Sequence, residues 1–393
     1  MKPSVIEVWI RNIGENEVSG MEHNIYNYWL STRRNIGPVK IEVLLRNYGC
    51  AEEIYHASGK GLLEYGESCV NEAGQRLFTE EDITSVLSGR DTNKLTEEYN
   101  RLRAGGIRFI TKEDEEYPDK LRQIYAAPFS LYVKGSLPEK GSKCLSVVGA
   151  RDCSQYGKEM ARYLTTAVAK AGIAVISGLA RGIDTCSHQG ALNAGGLTYA
   201  VLGCGIDTCY PRENIELYME IQQHGGILSE YAPGIKPYAG NFPMRNRIIS
   251  GLSDAILIVE ARMKSGSLIT VDMGLDQGKD IYALPGRATD PLSEGCNNLL
   301  KLGAKPVTSP IDILEDMLSG YRESSGISKA VDEGAMEHTP IILSYLTLDP
   351  KHIEELTSLT GLRVEQLAEQ LLILELRGMV RQTMKNYYCI THP

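Results

Sequence analysis

The chain has 393 residues, 42% of them hydrophobic and 23% charged, with a formal net charge of −9 at neutral pH. This is an ordinary globular composition, with length for two or three domains at roughly 150 residues each. It excludes a wholly disordered chain. The acidic sum excludes nucleic-acid binding spread over the whole surface, but leaves room for a local basic groove, because phosphate affinity follows the charges near the strand.

No apolar run reaches the roughly 20 residues that a bilayer span requires. The opening MKPSVIEVWIRNIGENEVSG lacks the parts of a secretory signal. A cytoplasmic protein without membrane contact is expected. The nine cysteines between Cys50 and Cys389 include no Cys-x-x-Cys pair and no histidine at ligand spacing. Reduced thiols, no metal site and no cofactor are therefore expected.

In chain order, residues 1–22 carry no assignable pattern. Tyr28, Leu30, Val39, Ile41, Leu44, Leu45, Tyr48 and Ile54 recur at helical steps, broken at Asn35-Ile36-Gly37-Pro38. A further helical stretch covers Glu81 to Ala104 and stops at Gly105-Gly106, so 23–106 reads as a small helical domain. Modules of this kind either touch a DNA backbone or dock on the rest of the protein, and the residues leave both open. Ile107–Thr111 predicts a strand, and Leu131–Val133 leads through Gly135 into the central part.

From Cys144 onward, apolar runs of strand length alternate with helical patterns, the signature of a parallel sheet with helices on both faces. The strands are expected at Leu145–Val148, Ala174–Ile176, Thr198–Leu202, Ile227–Ser229, Ala255–Val259, Ile281–Leu284 and Pro306–Val307. In such doubly wound α/β sheets, ligands bind outside the carboxyl ends of the strands, so the turns there carry the functional reading. They are Gly149-Ala150-Arg151-Asp152-Cys153-Ser154; Ser177 to Asp184; Gly203-Cys204-Gly205 running on to Tyr210-Pro211-Arg212; and Glu260 to Ser267. Before the last of them comes NFPMRNRIISGLS at 241–253, with Arg245 and Arg247.

Lys264-Ser265-Gly266-Ser267, between a strand end and a helix start, suits an anion, because the first amides of a helix lack internal partners. Alternatively, Arg245 and Arg247 are solvated surface charges, and Ser265 and Ser267 merely cap the helix. Each motif is weak alone, and Gly203-x-Gly205 lacks the full dinucleotide fingerprint. Their recurrence at the strand ends of one sheet predicts phosphate or nucleotide binding.

Residues 319–338 are polar, with glycine and serine and no apolar period, which predicts a linker. Over 339–393, three helical segments at Ile341–Leu346, Ile353–Leu359 and Val364–Leu376 precede a hairpin pattern around Lys385-Asn386. This is a winged-helix arrangement. Glu365, Glu369 and Glu375 on its third helix would repel a phosphate backbone, which favours a protein-contact or regulatory role over DNA binding.

Val148 to Arg151 with Ser154, SGLARGID at 177–184, GALNAGGLTYAVLGCGIDTCYP at 190–211, FPMRNRIISGLS at 242–253, EARMKSGSLIT at 260–270 and Leu284-Pro285-Gly286 together resemble the DNA-processing protein A family, also called DprA or Smf. The resemblance covers most of the chain. It implies an extended Rossmann domain over 107–318, preceded by a SAM-like helical domain and followed by the winged helix. It also implies a single-stranded DNA-binding protein that protects incoming strands in natural transformation, loads RecA recombinase onto them, and works as a homodimer through the Rossmann domain. Carried onto this sequence, it places Arg151, Arg212, Arg245 and Arg247 in a DNA groove. Lys264 with Ser265, Gly266 and Ser267 is added, and Phe242 is a candidate for stacking on a base.

The competing class is a nucleotide-binding Rossmann enzyme of the phosphoribohydrolase type, which needs a carboxylate near the sugar. Glu260 and Asp184 are the candidates. As structural residues, Asp184 would cap a helix and Glu260 would pair with an adjacent arginine. His188 reads as a packed helix-face residue rather than a general base. No catalytic residue is assigned and no turnover is expected.

Overall fold

A computed structural model of the chain describes residues 24–71, 73–318, 339–376 and 378–391. The unassigned segment 1–22 and the linker expected over 319–338 lie outside the described residues. By contact density the chain divides into two compact units, Met1–Ser142 with Tyr199–Ser253, and Lys143–Thr198 with Asp254–Pro393. The division falls within a strand of the central fold.

All seven strands expected from Cys144 onward are present, within an α/β fold whose large sheet is mainly parallel. The strands are β1 (Arg108–Thr111), β2 (Ser130–Gly135), β3 (Cys144–Val148), β4 (Ala174–Ser177), β5 (Thr198–Leu202), β6 (Gly225–Ser229), β7 (Ala255–Ile258), β8 (Asp280–Ala283) and β9 (Lys305–Pro306). In the second unit they run in the order β4-β3-β7-β8-β9. The pairings are parallel, with Leu145 opposite Ala255 and Val148 opposite Ile258.

Side chains alternate across a strand, and both faces of this sheet are covered. Leu145, Val147, Leu257 and Tyr282 pack with Leu164 and Val168 of the helix Gln155–Lys170 and with Ile183 of the helix Ile183–Asn193. On the opposite face, Ile256 and Ile281 approach Gly274 of the helix Gly266–Asp276. Strands buried on both faces read as unbroken apolar runs, which is why the sequence announces them.

The first unit departs from the expected pattern. Leu131–Val133 is the middle of a full strand, β2, which pairs antiparallel with both β1 and β6. Two antiparallel strands thus extend this edge. The helical portion contains helices over 24–31, Pro38–Tyr48, Ala51–His56, Gly59–Ser68, Glu80–Leu87 and Thr92–Ala104. The sequence gives no hint of Gly59–Ser68, because Gly59, Gly61 and Gly66 hide its apolar face. The long stretch expected over Glu81–Ala104 is two helices, interrupted at Gly89 with φ +66°. An edge-to-face pair ties this portion to the strands, with Tyr28 5.8 Å from Phe109, whose ring in turn lies tilted 5.2 Å from that of Tyr132.

At the carboxyl end, helices Thr339–Tyr345, Ile353–Thr360 and Val364–Leu376 precede a three-stranded sheet of β10 (Lys351–His352), β11 (Val380–Met384) and β12 (Tyr387–Ile390), ordered β10-β12-β11. Ile342, Leu346, Leu356, Leu367, Leu371 and Leu374 form its own core. This is the winged helix that the sequence predicts. Asn386 turns the wing with φ +66°, a conformation that asparagine tolerates better than other side chains.

Candidate nucleic-acid interface

In the second unit, β3 lies between β4 and β7, so the chain order runs outward from it on both sides. Such a switch point opens a crevice beyond the carboxyl ends of the strands. Three of the predicted turns meet there, and backbone hydrogen bonds lock them together. Ala150 N–H donates to the Glu260 carbonyl at 2.7 Å, and Ile183 N–H donates to the Ala150 carbonyl at 3.2 Å.

Two of the three carboxylates in these turns, Glu260 and Asp184, serve the fold. Glu260 is buried and accepts from Ser154 N–H at 2.8 Å and from Ser154 Oγ at 2.5 Å. Ser154 Oγ in turn caps the helix Gln155–Lys170 by accepting from Gly157 N–H at 3.0 Å. Glu260 thus engages Ser154, where the sequence suggested an adjacent arginine. Asp184 is buried too and accepts from Gly178 N–H at 3.1 Å and Ala180 N–H at 3.3 Å. It braces the loop before its helix rather than capping the helix itself.

Arg151 and Lys264 are exposed on this frame. Ser265 is the N-cap of the helix Gly266–Asp276, with its Oγ accepting from Ser267 N–H at 3.3 Å and lying 2.7 Å from Ser267 Oγ. Gly266 is exposed and has open space where a side chain would stand. A helix start with an exposed lysine beside it and no bulk in front is chemically a place for a phosphate.

The first unit holds the other predicted residues. Arg212 is exposed in the short turn Arg212–Asn214 that follows β5 and its loop. Phe242 is half-buried at the start of the helix Asn241–Leu252. Its ring lies against Gly203, where a Cβ would come within 2.8 Å of Cδ1. The ring of Tyr210, 43% exposed, is 5.5 Å from that of Phe242 and tilted by 39°. Tyr210 was no site candidate in the sequence, although the Tyr-Pro pair in the quoted motif was a usable signal. The two rings make an aromatic platform.

Arg245 and Arg247 correct the sequence expectation. They are 4% and 5% exposed, so neither offers an open guanidinium for a phosphate track. Arg245 donates to the Val201 carbonyl and stands 5.9 Å from the Phe242 ring centre, supporting that ring from below by a cation–π contact. Arg247 pairs with Glu230 at 2.6 Å and donates to the carbonyls of Ala126 at 2.8 Å and Met244 at 2.9 Å. An arginine so enclosed requires its carboxylate partner, and Glu230, the residue directly after β6, supplies it.

Two thiols and a histidine near these turns are shielded from solvent to different degrees. Burial pushes the Cys153 thiol up to about 11, with Cys186 and Glu260 adding to the shift, and pushes the Cys204 thiol up to about 11. Both are protonated at neutral pH, when the thiolate is the reactive form. His188 is wholly buried, with Nδ1 2.7 Å from Thr198 Oγ1.

A family model described as DNA recombination-mediator protein A matches residues 108–318, and one described as DprA winged helix domain matches 334–383. The chain is 38% identical over 285 residues to Protein Smf of Escherichia coli, covering 71% of this chain and 76% of that protein. It is also 38% identical over 282 residues to DNA processing protein DprA of Streptococcus pneumoniae, covering 67% and 97%. The X-ray structure of DNA processing protein A from Streptococcus pneumoniae superposes with a TM-score of 0.55 at 33% identity, covering 75% of this chain and 98% of that one. With these matches spanning the sheet and the winged helix, the chain belongs to the DNA recombination-mediator protein A family, the DprA/Smf proteins.

Proposed function

We propose that this protein binds single-stranded DNA without chemical turnover. Phosphates are held by Arg151, Arg212 and Lys264 with the Ser265-Gly266-Ser267 helix start, and a base stacks on Phe242. The observation that carries this reading is the division of labour among the charged groups. The cations at the strand-end turns are exposed, whereas Glu260 and Asp184 are buried and engaged with backbone amides. A glycosidic or phosphoryl reaction through either of the two candidate carboxylates would need that group free to meet the sugar. A strand-binding surface needs cations and an aromatic face.

Arg245 and Arg247 enter this account as supports of Phe242 and its helix, not as phosphate ligands. The remaining parts rest on the family: protection of incoming strands in natural transformation, delivery of the bound strand to RecA recombinase, and a homodimer formed through the Rossmann-type portion.

Binding of a labelled oligonucleotide and of its duplex tests the proposal. Single strands are expected to bind more tightly, and Phe242→Ala is expected to weaken single-strand binding by about 1–3 kcal/mol while leaving duplex binding unchanged. Equal affinity for both forms, unaffected by Phe242→Ala, would sink it. Release of a base or phosphate from a nucleotide, abolished by Glu260→Gln, would make the protein an enzyme instead.

A further inference from the structure

The turn after β4 carries a further cation, Arg181. Arg181 is exposed, and the backbone on both sides of it is held unusually firmly. Before it, the Asp184 carboxylate takes the amides of Gly178 and Ala180, and Thr185 Oγ1 donates to the Ala180 carbonyl at 2.7 Å. Leu179, between those amides, is wholly buried with φ +56°, in the left-handed region that branched side chains avoid.

After Arg181 comes Gly182, with φ +76°. A Cβ there would stand 2.4 Å from the carbonyl oxygens of both Ala150 and Arg151. Arg181 is thus mounted one residue from a backbone-to-backbone contact with Arg151. Strained conformations of this kind persist where the surroundings over-determine them, and they concentrate at ligand-holding loops. A surface arginine serving only solubility has no need of such a mount.

Asp184 and Glu260 are buried on backbone amides, and Asp152 is the exposed carboxylate of the first turn. Arg151 and Arg181, both exposed on neighbouring turns, carry forked donor groups of the kind that suits a phosphate.

We propose that Arg181 is a further phosphate contact for the single strand, continuing the track from Arg151. This rests on the reading of these turns as the DNA interface. The test measures affinity for labelled oligothymidylate across a salt series, together with thermal melting, for the wild type, Arg151→Ala, Arg181→Ala and Arg181→Lys. The slope of log affinity against log salt is expected to flatten by about 0.7 in Arg181→Ala, the share of one single-strand phosphate contact, and to be kept in Arg181→Lys. Melting should be unchanged throughout.

A full slope in Arg181→Ala beside a flattened one in Arg151→Ala would remove Arg181 from the track and leave the interface standing. Full slopes in both would overturn the interface and Arg181 with it. Lowered melting in both Arg181 variants would assign the residue to the fold instead.

Discussion

Arg247→Ala is expected to destabilise the protein by about 3 kcal/mol, because it strands a carboxylate whose partner is gone. The pair is well enclosed, with the Arg247 side chain 6% and the Glu230 side chain 16% exposed at an N–O distance of 2.6 Å. The same guanidinium also satisfies two backbone carbonyls, Ala126 and Met244, which would lose their donor. A midpoint shift in urea checks the size of the effect. Replacing both members with uncharged side chains of similar volume, Arg247→Met with Glu230→Gln, should recover part of the loss, since the stranded charge is then absent. If Arg247→Ala melted like the wild type and lost only DNA affinity, the residue would be a ligand contact and the buried pair incidental.

Gly182→Ala is expected to cost about 3 kcal/mol or more, and to weaken DNA binding along with stability. Two effects combine. A backbone at φ +76° and ψ −121° is sparsely populated for any residue but glycine and costs alanine roughly 1–3 kcal/mol. In addition, the new methyl would sit 2.4 Å from two carbonyl oxygens in the turn that carries Arg151. Neither oxygen is on a flexible side chain, so the two turns must part. Gly195→Ala probes a positive φ without the close approach, because Gly195 has φ +67° with open space around it. Its cost should be only about 1 kcal/mol, with DNA affinity kept. Equal costs at the two positions would contradict the close approach of the turns.

Much of this architecture is legible in the sequence, for physical reasons. β3, β4, β5, β7 and β8 are buried along most of their length, so they appear as short apolar runs. The turns between strand and helix show themselves by glycine and by capping serines such as Ser154 and Ser265. β2 is harder to see. It is as buried as its neighbours, but it pairs antiparallel with both of them and precedes the run of alternating parallel strands and helices that begins at Cys144.

The arginines of the Asn241–Leu252 helix show the limit most plainly. Spaced two apart, Arg245 and Arg247 point to different sides of a helix, which suggests that at least one faces solvent. The helix is enclosed on most sides, from Arg247 through Leu252 without a break. Their carbonyl partners at Val201, Ala126 and Met244 are backbone atoms, which no composition or spacing reveals. Glu230 lies twelve residues before the FPMRNRIISGLS motif, directly after β6, so spacing does not reveal the pairing either.

The most direct test of the central claim removes the exposed cations together, as Arg151→Ala with Arg212→Ala and Lys264→Ala, and measures single-strand affinity across a salt series. All three side chains are exposed, so stability should stay within about 0.5 kcal/mol of the wild type for each. The slope of log affinity against log salt should flatten by about 2. An unchanged slope in a well-folded triple variant would place the DNA elsewhere and contradict the account.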